Sequence, residues 1–228
     1  MSLKDWSPPS LPSRTAIQGR YVKLEPVERE HVAGLMQAFA EDAAGSMWEY
    51  LPHGPFDHAA FVAWVDTARA SPDPLHYAVR MEDGLLGGTL SLMRIKPAAG
   101  SIETGWLTFA PRLQRTREAT EAVYRLMRWS FEAGYRRFEW KCDAANHGSR
   151  RAAERFGFSY EGIFRQATVV KGRNRDTAWY ACIDSEWPAL EEAFEAWLAP
   201  SNFDANGMQK QRLGDYTASI LVSRDPVL

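Results

Sequence analysis

The chain has few cysteines and no export signal at its N-terminus. Its two cysteines, Cys142 and Cys182, both lie in strand-like runs of the 228-residue sequence. The first residues show neither a basic segment nor an apolar stretch followed by small residues, as a secretory leader would. Both observations argue against a secreted scaffold held by disulfides. We therefore expect reduced thiols and a cytoplasmic location.

Long apolar runs, a large net charge, internal repeats and low-complexity tracts are also missing. No apolar run approaches the roughly 20 residues of a membrane-spanning helix. The formal net charge of −2 provides no general attraction to nucleic acid or to an anionic membrane. His53 and His58 flank a short loop, but their spacing fits no compact metal site. We therefore predict a protein that binds no membrane, no nucleic acid and no metal.

What is present indicates one folded domain with terminal extensions. Hydrophobic residues make up 45% of the chain and charged residues 25%, which is ordinary for a globular protein with a sizeable core. Prolines near the start predict an extended arm over residues 1–14. The domain is expected over 15–199. Residues 200–228 form an extension of uncertain structure, in which the apolar run 219–222 is expected to add a strand or to cover a partner.

The order of predicted elements favours a mixed α/β sheet. Strand patterns alternate with two helical stretches in the second half of the chain, which requires at least one parallel pair of strands and a right-handed crossover. Ligands of such sheets bind at the carboxyl ends of the strands. This rule points to residues 109–119. Strands are predicted over 20–26, 75–81, 86–95, 101–109, 135–142 and on both sides of the turn 171–174; helices are predicted over 29–40, 57–70, 117–133, 149–156 and 188–198.

The segment Gln114 to Ala119 connects a predicted strand directly to a predicted helix. The first N–H groups of a helix have no acceptor within the helix and carry a partial positive charge, so this layout suits a diphosphate. By layout alone, two interpretations remain open. The segment is either a phosphate seat or a charged first turn in contact with solvent.

Three short motifs resemble those of the GNAT acetyltransferase superfamily. Its pyrophosphate loop reads Gln or Arg, two variable residues, Gly, one variable residue, then Gly or Ala. Gln114 and Ala119 match the two ends, whereas Arg117 stands where the family has glycine. Asn146 to Ser149 resembles the family's Asn-x-x-Ser element, and Glu154 to Phe158 resembles its Glu-x-x-Gly-Phe element. The resemblance implies a GNAT fold with a mixed, mostly antiparallel seven-stranded sheet flanked by helices.

A further set of residues is similar to the branch that acetylates the N-termini of ribosomal proteins, called RimJ/RimL-type. The segment 48–56 is common in that branch, as are Glu161-Gly162, Arg165, Asp176 and Tyr180. The resemblance spans about residues 15 to 185. It implies an N-acetyltransferase that moves an acetyl group from acetyl-CoA directly to a primary amine. A peptide N-terminus and a small-molecule amine remain open as acceptors, and a homodimer is possible.

The resemblance also implies roles for individual residues. Glu103 would deprotonate the amine, and Ser149 would protonate the leaving sulfur, since the tyrosine acid of many relatives is missing. Competing interpretations make Glu103 an exposed strand carboxylate and Ser149 a helix N-cap. Residues expected to bind the cofactor are Leu107, Thr108, Phe109, Gln114, Arg115, Thr116, Arg117, Glu118, Ala119, Thr120, Asn146 and Arg150; those expected to wall the acceptor pocket, unless they are simply core, are Trp48, Tyr50, His53 and Trp106.

Arg117 is the main departure from the family pattern. An arginine is strained where glycine adopts a positive φ, and it adds bulk near the ligand. It also brings a positive charge and five donors to the mouth of a diphosphate seat. The departure keeps two alternatives open: a non-catalytic acyl-CoA-binding or sensing module, and a transferase that uses another donor such as succinyl-CoA.

Overall fold

The computed structural model describes residues 3–228 and shows one mixed sheet of eight strands. The strands lie in the order β1-β2-β3-β4-β5-β6-β8-β7, and only β5 and β6 run parallel. The predicted α/β architecture is confirmed. The added strand, β1, has only two residues, too few to show alternation in the sequence. The strands are β1 Ile17–Gln18, β2 Val22–Pro26, β3 Leu75–Met81, β4 Leu86–Lys96, β5 Ser101–Phe109, β6 Arg137–Asp143, β7 Ser159–Val170 and β8 Arg173–Ile183.

Six α-helices accompany the sheet in the described residues, and local signals explain where they begin. Asp57 accepts a hydrogen bond from the Ala60 amide at 2.8 Å and so caps α2. Thr116 caps α3 in the same way through the Ala119 amide at 3.1 Å. The helices are α1 Val32–Phe39, α2 His58–Ala70, α3 Arg117–Glu132, α4 His147–Arg155, α5 Trp187–Leu198 and α6 Leu213–Thr217. None of them is long and apolar enough to cross a membrane.

Helix α3 packs its apolar face on the sheet and carries one buried carboxylate there. Val123, Leu126 and Met127 are fully buried in the main core. Glu121 is also buried, and its carboxylate accepts hydrogen bonds from the amides of residues 20–22 at 2.6 to 3.0 Å. These bonds join the entry of β2 to α3, so the helix that follows the proposed phosphate loop has a defined position.

A bulge and a divergence shape the middle of the sheet. The pairing of β5 with β6 ends at Thr104 and Trp140, although β5 continues for five residues to Phe109. Opposite this stretch, the β4–β5 register shifts and Trp106 has a φ of +53°. The two parallel strands therefore separate toward their carboxyl ends, and the cleft between them opens beside the start of α3.

The terminal extensions lie against the domain. The Tyr135 hydroxyl donates to the Ser10 carbonyl at 3.1 Å. At the other end, the Val222 amide donates to the Ser159 hydroxyl at 3.0 Å. Residues 219–222 do not add a strand, so that alternative is wrong. The bonds around this run join the Val222 amide to the Ser159 side chain and Ser223 to the Tyr160 backbone, so a continuous ladder does not form.

Candidate active site

The cleft between β5 and β6 has a volume of about 520 Å³. It brings together residues from the sheet, from the start of α4 and from the loop that follows α1. Both predicted catalytic residues, Glu103 and Ser149, line it. Its other lining residues include Tyr50, Met93, Arg94, Thr104, Trp106, Leu107, Trp140, Lys141, Cys142, Asp143, Asn146 and Arg175.

Glu103 is a buried carboxylate held between two cations. Its side chain is 2% exposed, so the interpretation as a solvated strand residue is wrong. Arg94 lies 2.5 Å from one oxygen and Lys141 2.9 Å from the other. Burial raises the pKa of Glu103 above its ordinary value, although the charges of Lys141 and Arg94 act to lower it. A carboxylate whose pKa is raised in this way is a stronger proton acceptor than an ordinary one.

Sequence reasoning missed the two cations beside Glu103. Lys141 is itself 7% exposed, contacts Glu139 at 2.7 Å and lies 3.7 Å from the ring centre of Trp179. Arg94 adopts a φ of +46°, and its amide donates to the Asp73 carboxylate. The register of β4 with β5 and of β5 with β6 brings both cations to the carboxylate, and a single sequence does not reveal that register.

Ser149 lies at the other side of the cleft, in the first turn of α4. Its hydroxyl oxygen accepts a hydrogen bond from the Trp140 indole N–H at 3.0 Å, and the hydroxyl also hydrogen-bonds to the Cys142 thiol. Asn146 is the residue that caps α4, because its side chain accepts from the Ser149 amide at 2.9 Å. The interpretation of Ser149 as the N-cap is therefore wrong. Nearby, burial raises the pKa of Cys142 to about 11, which keeps that thiol neutral.

One edge of β5 has no partner strand along the cleft. Thr108 and Phe109 pair with β4 on the other edge, where Gly88 comes so close that an added Cβ would lie 2.2 Å from the Thr108 carbonyl oxygen. Leu107 lines the cleft. The backbone groups of 107–109 can therefore pair with amide groups of a ligand, as the sequence analysis predicts.

The start of α3 has the form of an anion seat. Within residues 3–228, the amides of Arg117 and Glu118 have no acceptor, as expected of a first helical turn. Gln114 fixes the loop by donating to the Phe109 carbonyl at 2.7 Å, and the Thr116 hydroxyl donates to the Leu113 carbonyl at 2.7 Å. The loop is thus held in place by its own side chains, with two N–H groups left for a ligand.

The two arginines of the loop differ from expectation. Arg117 is the first residue of α3 and has an ordinary helical backbone, so the predicted strain at this position does not arise. The left-handed residue is Arg115, with a φ of +62°. The Arg117 guanidinium contacts Glu82 at 2.7 Å and lies 4.2 Å from the Tyr21 ring centre. It is therefore turned toward the sheet edge, whereas Arg115 is exposed.

Arg150 does not have the role that the sequence analysis assigns to it. Its guanidinium is 3% exposed and pairs with Asp225 of the C-terminal extension at 2.5 and 2.6 Å. A third bond runs to the Ala144 carbonyl at 2.8 Å. Because its donors are used inside the protein, Arg150 has no free group for a cofactor phosphate, and we remove it from the candidate cofactor residues.

The four aromatic candidates divide into two groups. Tyr50 and Trp106 line the cleft, and the Tyr50 hydroxyl lies 3.4 Å from the Ala145 carbonyl. Trp48 lies in a second apolar cluster under α1 and α2. The His53 ring packs beside Trp48 at 6.0 Å and lies tilted against the Trp106 ring at 4.6 Å. Burial, helped by the charge of Lys171, lowers the pKa of His53 to about 4. His53 is therefore a neutral support for Trp106, behind the wall of the cleft.

Comparison with known proteins identifies the family. The model of the acetyltransferase (GNAT) domain matches residues 22–159, more than half of the chain. The chain belongs to the GNAT acetyltransferase family and is an N-acetyltransferase. GNAT domains use acetyl-CoA as co-substrate. The sheet divergence and the helix N-terminus described above suit that molecule.

Solved structures and one curated relative agree with this assignment. A GCN5-related N-acetyltransferase from Brucella melitensis is 47% identical, with 95% of this chain and 100% of that one covered and a TM-score of 0.92. A probable acetyltransferase of the GNAT family from Chromobacterium violaceum is 44% identical, with coverages of 83% and 96% and a TM-score of 0.78. The uncharacterized N-acetyltransferase YnaD of Bacillus subtilis is 25% identical over 62% of this chain and 83% of its own length.

The ribosomal-protein branch is represented among the structural neighbours. The Salmonella typhimurium enzyme described as modifying the N-terminal serine of L7/L12 is 24% identical, with coverages of 74% and 99% and a TM-score of 0.64. At that identity the similarity concerns the fold alone.

Proposed function

We propose that the protein transfers an acetyl group from acetyl-CoA directly to a primary amine. The observation that carries this proposal is that a candidate proton acceptor and a candidate proton donor line the same cleft. A buried carboxylate with a raised pKa, Glu103, and a serine hydroxyl, Ser149, line the same space between β5 and β6. A direct transfer needs one group that accepts a proton from the amine and one that donates a proton to the leaving sulfur.

The residues that would hold acetyl-CoA lie in two consecutive parts of the chain: Leu107 lines the cleft, and the first turn of α3 follows the end of β5 after a short loop. The unpaired edge of 107–109 suits the amides of the cofactor's arm, and the first turn of α3 suits its diphosphate. Arg115 is exposed at that turn and adds a positive charge. When bound, acetyl-CoA supplies a thioester, which is the activated acyl group.

In the proposed reaction, the amine nitrogen forms a bond to the acyl carbon and the carbon–sulfur bond breaks. Glu103 accepts the proton that the amine loses. Ser149 donates its hydroxyl proton to the sulfur, and the Trp140 N–H stabilises the serine oxygen meanwhile. Solvent then takes the proton from Glu103 and returns one to Ser149, which restores both groups. Lys141 and Arg94 keep the Glu103 carboxylate in one orientation. The neutral Cys142 thiol is not needed as a nucleophile, since transfer without a covalent intermediate uses only these groups.

A peptide N-terminus and a small amine both fit this chemistry. The L7/L12-modifying enzyme has the same fold, and at 24% identity this similarity concerns the fold alone. It is compatible with a peptide acceptor but does not choose between the two. The alternative of a non-catalytic acyl-CoA sensor predicts binding without consumption of the thioester. A larger donor such as succinyl-CoA is a further variant of the same proposal. A cytoplasmic location and a homodimer stay predictions.

The experiment joins binding and turnover. The purified protein is titrated by calorimetry with acetyl-CoA, succinyl-CoA and desulfo-CoA, and free thiol release is then followed with N-terminal peptides and small amines. Micromolar binding with amine-dependent thiol release is the expected result. Binding with no release for any amine would favour the sensor, and absence of binding would overturn the proposal.

A further inference from the structure

A second cavity, which we call the vestibule, adjoins the active-site cleft. It has a volume of about 400 Å³ and shares Tyr50, Asp143, Val170 and Arg175 with the lining of the cleft. Three cations line it, against two carboxylates, although the whole chain has a net charge of −2. The charged lining residues are Lys171, Arg173 and Arg175 on the β7–β8 side and Glu49 and Asp143 opposite. The vestibule is thus locally positive.

Arg175 lacks the partners that most partly buried arginines of this protein have. Within residues 3–228, no carboxylate lies within ion-pair distance of its side chain, and its Nε atom is buried without a hydrogen-bond acceptor. By contrast, Arg117, Arg137 and Arg150 each pair with a carboxylate at 2.7 Å or less. A buried donor without an acceptor is costly, so such a group in a native protein calls for a ligand or a water molecule.

The carboxylates nearest in the lining do not fill that role. Asp143 accepts a hydrogen bond from the Ala145 amide at 2.9 Å, which fixes the turn before α4. The ammonium group of Lys171 donates to the Trp48 carbonyl at 2.8 Å and so contributes charge without binding an acid. The guanidinium of Arg175 remains the one group of the shared lining with unused directed donors in the described residues.

Arg175 is also close to the reacting end of the cleft. Burial dominates the raised pKa of Cys142, but the charge of Arg175 acts on that thiol in the opposite direction, and Ser149 hydrogen-bonds to it. Arg175 pairs with Thr168 across the β7–β8 hairpin, and Thr168 lines the cleft as well. The cation therefore lies on the β7–β8 wall of the cleft that Glu103 and Ser149 also line.

We propose that the acceptor is an amine that carries a carboxylate, and that Arg175 binds this carboxylate at the junction of vestibule and cleft. This inference rests on the proposed function and narrows its substrate class. A planar guanidinium matches a carboxylate with two parallel hydrogen bonds, and Lys171 and Arg173 add long-range attraction. An amine without the carboxylate leaves the desolvated donors of Arg175 unpaired, so the site rejects it.

Matched pairs of amines test the proposal. Alanine, β-alanine and γ-aminobutyrate are each compared with their amides, and a serine-aspartate-glycine amide is compared with its asparagine counterpart. The series varies the distance between amine and carboxylate. For at least one pair, we expect kcat/KM of the carboxylate member to be higher by about tenfold or more. Arg175→Gln should bring that ratio close to one, and Arg175→Lys should keep part of it.

A matched control and a second readout separate this proposal from the chemistry on which it rests. Arg165→Gln changes an exposed arginine of the same hairpin that lines neither cavity, and it should leave the ratio unchanged. Calorimetric binding of each amine to the protein saturated with CoA measures recognition without turnover. If carboxylate amines bind through Arg175 but release no thiol from acetyl-CoA, then the proposed catalysis fails and the recognition stands.

Three results would overturn the proposal. In the first, the wild-type protein shows the same kcat/KM and the same affinity for both members of every pair, or it binds none of the carboxylate amines measurably. Arg175→Gln lowers the values for both members equally, which would assign Arg175 to the leaving sulfur or to folding. Arg165→Gln abolishes the ratio as fully as Arg175→Gln, which would make the effect one of general charge.

Discussion

At the scale of single residues, the direction of a side chain decides its role. Arg115 and Arg117 are two residues apart in one loop, yet within residues 3–228 only the Arg117 guanidinium has partners, among them Glu82 and Tyr21. The sequence analysis considers a cation at 117 as a replacement for the missing glycine. The structure shifts that part to Arg115, which is exposed at the helix N-terminus and occupies the left-handed region that a glycine would adopt freely.

The two loop arginines lead to opposite expectations for cofactor binding. Arg115→Ala should raise the CoA dissociation constant severalfold and flatten its dependence on salt, because an exposed charge attracts the diphosphate over a screened distance. Arg117→Ala should change the constant by less than about twofold, since its guanidinium is already paired. Calorimetric titrations at 50 and 300 mM salt compare the variants. A larger effect at 117 than at 115 would contradict this assignment.

Glu103 is expected to be the proton acceptor. Glu103→Gln keeps the shape of the side chain but removes its basicity, so turnover should fall by roughly two to four decades. The change lies away from the phosphate seat, so the CoA dissociation constant should stay within a few fold. Thiol release and calorimetry measure the two quantities. Unchanged turnover would remove Glu103 from the mechanism.

The pH dependence of activity tests the environment of the same carboxylate. Glu103 acts when ionised, so activity is lost as pH falls through its pKa. Lys141 acts to lower that pKa, and Lys141→Met should therefore move the acid limb of kcat/KM to higher pH. The control Lys96→Met removes an exposed lysine at the end of β4. An acid limb at the same pH in all three proteins would show that another group controls it.

At the scale of elements, the separation of β5 from β6 creates the site. The chain pattern predicts both strands and the helix between them, because alternation and helical periodicity are local properties. It does not predict where the ladder ends, since that depends on the bulge between β4 and β5 and on the left-handed Trp106. The candidate loop was found by its position after a strand, whereas Arg94 and Lys141 were missed because pairing across strands brings them in.

The packing of β3 and α2 makes stability depend on pH. His76 on β3 is 2% exposed, and burial lowers its pKa to about 4; His53 is lowered to about 4 as well. The unfolded chain binds these protons near pH 6.5, so stability is full above that pH and is lost as pH falls toward 4. A shift of this size corresponds to about 3 kcal/mol for His76.

Urea unfolding at pH 7, 6, 5 and 4 measures this loss. His76→Leu replaces a ring whose buried Nδ1 has no hydrogen-bond partner among residues 3–228, and it should reduce the loss between pH 6.5 and 4 by about half, since His53 remains. His58→Leu alters an exposed histidine of α2 and serves as control. An equal loss in the wild type and in His76→Leu would show that His76 is not responsible.

At the scale of the whole molecule, the C-terminal tail packs against the domain. Asp225 forms a buried network with Arg150 and the Tyr180 hydroxyl, and its amide donates to Glu154. Arg150 in turn holds the Ala144 carbonyl in the turn before Asn146 and Ser149. Residues 200–228 therefore support the wall of the active site. The division of the chain at residues 14 and 199, and a homodimer, stay predictions.

Breaking this network should be severe. Asp225→Asn leaves the Arg150 charge buried without its counter-ion, and we expect a loss of about 3 to 5 kcal/mol in the free energy of unfolding. Asp215→Asn, at an exposed position of α6, should cost far less. Urea unfolding at pH 7 compares the two. If Asp225→Asn is as stable as Asp215→Asn, the tail does not depend on this pair.

The sequence by itself determined the order of strands and helices, the family and the place of the candidate phosphate loop. All of these depend on residues within a few positions of each other, where periodicity and hydrogen bonding to the nearest amides act. Only the tertiary structure decided the partners of the charges. Arg117 and Glu82 are 35 residues apart and Arg150 and Asp225 are 75 apart, so chain folding alone brings each pair together.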